Sequence, residues 1–196
     1  MIIYIDRQHA GKPKKIQDRG AGSDLNQDGQ ISNDELEAIW TARIGIELEI
    51  LLLDMGYNVI PISDGSYLDR HKRVNLYSNI APSIKQVYLA MHLNAGGGDY
   101  GAFFHYFGSE EGKSLAENMS AALQSECEEL SKVKAIPAKP DDWTKNAFYT
   151  IKGIGRPIAI CCEPIFMDSH AKMLSINGIK KIAWGMANGI KKWDLK

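Results

Sequence analysis

From Pro157 to Glu163 the chain reads PIAICCE, an unbroken apolar run closed by a carboxylate. Successive strand residues face opposite sides of a sheet, so a run with no polar alternation is buried on both faces. That pattern belongs to a parallel sheet covered by helices. VYLAMHL at 87–93, GAFFHYF at 101–107 and MIIYID at 1–6 read as further strands, NVIPIS at 58–63 as strand-like, and FYTIK at 148–152 as a weaker one. Between them the apolar residues fall at helical spacing, over 33–55, 67–80, 113–130 and 168–193. Strands alternating with helices predict an α/β fold: a twisted, mostly parallel sheet flanked by helices, in a single domain spanning 1–196. The 196 residues suffice for one domain with a real core, and no repeat or linker divides them.

A second feature interrupts this plan. DLNQDGQISNDE, residues 24–35, places oxygen-bearing residues at every ligand position of a twelve-residue calcium loop. Those positions are Asp24, Asn26, Asp28, Gln30, Ser32 and Glu35, with Gly29 at the sharp turn. Gln30 would offer its backbone carbonyl and Glu35 a bidentate carboxylate, while Ile31 would pin the loop to a core. The preceding stretch, HAGKPKKIQDRGAGS, is rich in Gly and Pro and reads as loop, so the usual helix in front is missing. The expectation is an EF-hand-like calcium loop inserted at 24–35, which orders the start of the next helix.

Composition excludes several classes. A net charge of −1 gives no electrostatic basis for nucleic-acid binding. The three cysteines include the adjacent pair Cys161 and Cys162, which has neither metal-ligand spacing nor the look of a disulfide framework. The N-terminus lacks a signal-peptide pattern, and no apolar run approaches the ~20 residues of a membrane span. The expected protein is made without a signal peptide, has no stable association with membranes and is a monomer.

Ligands of open α/β sheets bind beyond the carboxyl ends of the strands. His9 lies just past the first strand, His92 near the end of VYLAMHL, and Glu163 closes PIAICCE. Two imidazoles and a carboxylate on one rim suit a catalytic zinc. A helix that follows a parallel strand starts at the same rim. Glu37, in the first turns of the helix after the calcium loop, is therefore favoured as third ligand over Glu47, roughly 15 Å further along the axis at 1.5 Å per residue. His71, His105 and His170 read as structural, although His105 lies in a strand near the expected rim.

These residues carry a resemblance. IYIDRQHAGK, the Glu at the start of a helix that ends in GYNV, YLAMHLNAGGG and PIAICCEPIFMD, in that order, resemble the zinc-dependent N-acetylmuramoyl-L-alanine amidases, and among them the short catalytic domains of phage endolysins and bacterial autolysins. The resemblance implies zinc held by His9, Glu37 and His92, with Glu163 as the catalytic carboxylate. It implies peptidoglycan as substrate, cut between N-acetylmuramic acid and L-alanine, with synthesis in the bacterial host cytoplasm and action on the wall after release. Asn94, in the HLNA segment, would touch substrate or shape a turn. Three positions depart from the family pattern: Gln8 replaces the usual Gly before the first His, ISDG replaces Thr-Arg after the second strand, and Pro164 follows the catalytic Glu. None removes a metal ligand. The alternatives are a zinc carboxypeptidase acting on wall peptides, and an inactive, calcium-ordered wall-binding module.

Overall fold

Six strands form one sheet in the order β2-β1-β3-β6-β4-β5. The computed structural model describes residues 1–7, 9, 20–32 and 35–196. The strands are β1 (Ile2–Arg7), β2 (Asn58–Ile62), β3 (Gln86–Met91), β4 (Gly101–Tyr106), β5 (Val133–Ala138) and β6 (Ile158–Glu163). The helices are α1 (Glu37–Asp54), α2 (Tyr67–Ile80), α3 (Glu110–Glu126), α4 (Lys145–Ile151) and α5 (Ile176–Asp194). β2, β1, β3 and β6 run parallel, and β4, antiparallel to β6, carries β5 parallel to itself. The mostly parallel sheet with helices on both sides is the expected architecture. No helix among the described residues is long and apolar enough to cross a membrane.

The apolar strands divide their side chains between two cores, as their lack of alternation requires. Ile3, Ile5, Val87, Leu89, Met91, Ile160 and Cys162 face one layer, where α1, α3 and α5 cover them. Tyr4, Tyr88 and Ala90 face the other with Val74 of α2, and Ala102, Phe104 and Cys161 meet Ala147, Phe148 and Ile151 of α4. All three cysteines are buried free thiols.

Local chemistry sets the helix starts. Ser66 and Asp69 form a reciprocal capping box at α2, and Ser109 and Ser175 accept the backbone N–H of Gly112 and Gly178 at α3 and α5. α1 has no side-chain cap; instead its first residue donates from Glu37 N to Ala21 O at 2.8 Å. α3 and α5 approach closely because α5 presents Gly185 and Gly189. A Cβ at Gly189 would lie 2.4 Å from Met119 Cα.

Four expectations need correction. FYTIK belongs to α4 and is not a strand; the sixth strand is VKAIPA at 133–138. This edge strand carries Lys and Pro, which weaken the strand signal and suit an edge. Helix α1 begins at Glu37, with residues 33 and 34 outside the description. α5 begins at Ile176, because a short 3-10 turn, Ala171–Met173, and the cap at Ser175 intervene. Ile31 is 55% exposed and pins nothing to the core; it lies over Gly22, while Leu25 packs against the main core.

Candidate active site

The carboxyl ends of β1, β3 and β6 lie side by side, and three residues meet there. His9 follows β1 with φ of 65°, a left-handed conformation uncommon outside glycine. Gln8, the departure before it, lies outside the described residues. His92 follows β3, and its backbone N–H donates to Cys162 O at 2.8 Å, which ties it to β6. Glu37 opens α1. His92 Nδ1 is 3.0 Å from Glu37 Oε1 and 3.3 Å from His9 Nε2, and His9 Nε2 is 3.5 Å from the same Glu37 oxygen. One donor atom from each residue lies within 4.8 Å of the others. Glu47, the alternative, lies far down α1 beside Leu51 and Trp184.

Glu37 is held by backbone as well. Its Oε1 accepts Leu93 N at 3.0 Å and its Oε2 accepts Ala21 N at 2.8 Å. Gly20 leaves room for this carboxylate, since a Cβ there would stand 2.2 Å from Oε2. Burial opposes the charge, but the hydrogen bonds and charge of His9 and His92 outweigh it and hold the Glu37 carboxyl well below the usual carboxylate range. Two imidazole nitrogens and an ionised carboxylate oxygen, gathered this closely, fit zinc by donor chemistry.

Glu163 ends β6 and lines the same groove as Glu37 and His92. Burial, reinforced by the charge of Glu37, pushes its carboxyl up to about 7, against a hydrogen bond from Asn94. Asn94 Nδ2 donates to Glu163 Oε2 at 2.7 Å, and Asn94 Oδ1 accepts Ala95 N. The Asn94 backbone bonds to Ile165 O and Met167 N. This side chain anchors Glu163. The groove encloses about 640 Å³ between α2 and α4, lined by Tyr67, Leu68, His71, Asn146, Tyr149 and Lys152. His105 lies away from it: antiparallel β4 sends its C-terminal end to the opposite edge, and His105 Nδ1 meets Tyr106 O.

The 24–35 loop is a tight turn built on its own carboxylates. Asp24 accepts the N–H of Asp28 and Gly29, Asn26 Oδ1 also takes Asp28 N, and Asp28 accepts Gln30 N. Glu35 accepts Leu25 N, Asn26 N, Ser32 N and the Ser32 hydroxyl. The Ser32 hydroxyl and amide lower its carboxyl to about 2. Gln27 and Gly29 take positive φ, and Gln30 and Ser32 are exposed. Among the described residues, the His9–Glu37–His92 trio is the one group of three or more His, Cys, Asp or Glu donors close enough to hold a metal. Asp24, Asp28 and Glu35 are turned onto loop N–H groups instead. Gly22 bridges to Leu36, so the two ends of the loop are joined beside Glu37.

Comparison with known proteins decides the class. A profile of the N-acetylmuramoyl-L-alanine amidases matches residues 3–192. The chain belongs to this amidase family. Its members hydrolyse peptidoglycan at an amide bond, and so does this enzyme. No curated protein sequence matches it. Among solved structures, this amidase resembles the N-acetylmuramoyl-L-alanine amidase AmiC2 of Nostoc punctiforme, with 19% identity and a TM-score of 0.73 over 100% of this chain and 98% of that one. The CwlD amidase of Clostridioides difficile, solved in complex with the GerS lipoprotein, gives 19% and 0.72 over 99% and 98%. The catalytic domain of the CD27L endolysin, which targets Clostridia difficile, gives 17% and 0.62 over 98% and 97%.

Sequence reasoning missed Tyr67, whose hydroxyl lies 3.1 Å from His92 Nε2. The signal was present: Tyr67 is the first residue of a helix that follows a parallel strand, the placement that singled out Glu37. The backbone contribution of Ala21 and Gly20 had no such signal, because a main-chain donor leaves no trace in residue identity.

Proposed function

We propose that this amidase is zinc-dependent and cuts the bond between the lactyl group of N-acetylmuramic acid and L-alanine. The carrying observation is the close His9–Glu37–His92 trio, with Glu163 lining the groove that Glu37 and His92 share. The trio would hold the zinc, which supplies Lewis-acid polarisation and acidifies water. Glu163 takes a proton from the attacking water as the new C–O bond forms, then returns it to the nitrogen as the C–N bond breaks. Burial raises this carboxyl above the usual carboxylate range, which favours its holding the proton between the two steps. Asn94 fixes the Glu163 oxygen that is not exchanging the proton.

The test is digestion of purified peptidoglycan followed by mass spectrometry, with chelator and with zinc restored. Free stem peptides with N-terminal alanine, lost on chelation and recovered with zinc, are expected. Shortened peptides still attached to glycan would identify a carboxypeptidase, and no products from any wall type would identify an inactive binding module. His9→Ala and His92→Ala should lose zinc, whereas Glu163→Ala should keep it.

The proposal includes a structural calcium ion in the 24–35 loop, held by Asp24, Asn26, Asp28, the Gln30 carbonyl, Ser32 and Glu35. The complete ligand pattern and the turn at Gly29 support it. Binding would require Glu35 to exchange backbone N–H partners for the ion. It also includes a phage endolysin role, with synthesis in the host cytoplasm and access to the wall after the membrane is opened. The segments shared with endolysin catalytic domains support that part. Lysis of host cells from within, only when a membrane-permeabilising protein is co-expressed, is the expected behaviour.

A further inference from the structure

His92 has two ring nitrogens, and only one can face the trio. Nδ1 does so, 3.0 Å from Glu37 Oε1 and 3.3 Å from His9 Nε2. Nε2 points to the Tyr67 hydroxyl at 3.1 Å, and that hydroxyl lies 3.1 Å from Thr150 Oγ1. Thr150 Oγ1 donates in turn to the carbonyl of Asn146 at 2.9 Å. Counting protons gives the chain a direction. The Asn146 carbonyl can only accept, so the single hydroxyl proton of Thr150 is committed to it. Thr150 therefore accepts from Tyr67. The Tyr67 proton is then spent on Thr150, and its oxygen is left to accept from His92. Cys161, the other group within reach of Thr150, is a buried neutral thiol and can donate to the same oxygen without altering that direction.

We propose that Tyr67 is a positioning residue for the metal site: with Thr150 and Asn146 it keeps the proton of His92 on Nε2, so that the Nδ1 lone pair faces the trio. This rests on the zinc reading of that trio. A bare Nδ1 opposite an ionised carboxylate oxygen at 3.0 Å is repulsive unless a cation lies between them. The chain of hydroxyls thus disfavours the competing arrangement, in which His92 would place its proton on Nδ1 and give it to Glu37. The Tyr67 ring is itself fixed, with the Arg70 guanidinium 5.0 Å over its face and the His71 ring edge-on at 5.7 Å. Thr150 and Arg70 are buried, so neither end of the arrangement is free to drift.

The test is zinc affinity, measured by competition with a chromophoric chelator, in four proteins checked for folding by thermal melts. Tyr67→Phe keeps the ring and removes the acceptor, and should weaken zinc binding by about 10–100-fold, the usual effect of losing a partner of a ligating histidine. Thr150→Val touches no ligand. It frees the Tyr67 proton to turn toward Nε2, which moves the His92 proton to Nδ1, so it should also weaken zinc. Thr150→Ser, which keeps the hydroxyl, should bind near wild type. Wild-type affinity in folded Tyr67→Phe overturns the proposal. Equal losses in Thr150→Val and Thr150→Ser overturn the direction of the chain and make Thr150 a packing residue. Failure of the wild type to bind zinc would instead overturn the zinc reading itself.

Discussion

Glu163 is the residue where stability and chemistry pull apart. In the unfolded chain it ionises near 4.5, and in the folded protein burial and the neighbouring Glu37 raise that to about 7. Between those values the folded state holds a proton that the unfolded state releases. Its stabilising contribution is thus complete below 4.5 and is lost as pH rises through 7. The loss is on the order of 2 kcal/mol for a half-buried carboxyl. Glu163→Gln keeps an acceptor for Asn94 and removes the titration. The metal-free variant should melt roughly 4–8 °C above wild type at pH 8 and close to it at pH 4.5. The same change should lower turnover by about 10²–10⁴-fold, since a proton acceptor is gone. Equal melting at pH 8 would mean that water reaches Glu163 and that its environment is not what tunes it. His9, His92 and Glu163 were legible in the sequence because each stands at a strand end. Tyr67 was hidden because a first-turn tyrosine reads equally well as packing.

Two elements carry the sharpest structural claims. α5 rests on α3 through Gly185 and Gly189, and a methyl group at Gly189 would strike the Met119 Cα and the Asn118 carbonyl. Alanine favours a helix interior by about 1 kcal/mol over glycine, but here the clash is with backbone, which has no rotamer to yield. Gly189→Ala should therefore lower stability by about 1–3 kcal/mol, or roughly 2–12 °C in Tm. A variant that melts higher would show that the two helices part without cost. On the calcium proposal, the 24–35 loop makes the opposite claim, of an element that gains stability from a ligand. Calcium at about a hundredfold excess over its Kd should add about 2.7 kcal/mol, roughly 5–11 °C in a thermal melt. Asp24→Asn with Glu35→Gln should abolish that increment, whereas magnesium, which demands octahedral geometry, should not reproduce it. A wild-type melt unmoved by calcium would leave the loop as a turn closed by its own hydrogen bonds. The loop's ligand spacing was plain in the sequence, but the turning of its carboxylates onto N–H groups was not. That depends on backbone geometry rather than residue type.

At the scale of the molecule, β1, β3 and β6 were legible because burial on both faces leaves no alternation to misread, while β2, an edge strand, kept enough apolar residues to read as strand-like. β5 was missed because an edge strand needs only one neighbour, and Val133–Ala138 carries polar and Pro interruptions. The reversal of β4 was missed because direction is a property of pairing, not composition. The consequence for function is that β1, β3 and β6 bring residues far apart in sequence to one rim. Glu37 and His92 are 55 positions apart, and His9 and His92 are 83 apart. An ion bound by all three would link β1, α1 and β3, a constraint available only to the folded state. On the zinc reading, the metal should therefore stabilise the whole chain as well as activate it. At about a thousandfold excess over Kd, zinc should contribute about 4 kcal/mol, roughly 8–16 °C in Tm, and a chelator should reverse it. Three variants separate this from nonspecific metal effects. Glu163→Gln should keep the full zinc-dependent shift, because it holds a proton and not the metal. His92→Ala should show almost none. Glu47→Ala should behave as wild type, and a lost shift there would mean that the third ligand comes from further down α1 than the start of the helix. A shift that survives in His92→Ala would place the stabilising zinc outside the trio and remove the link between the metal and this rim.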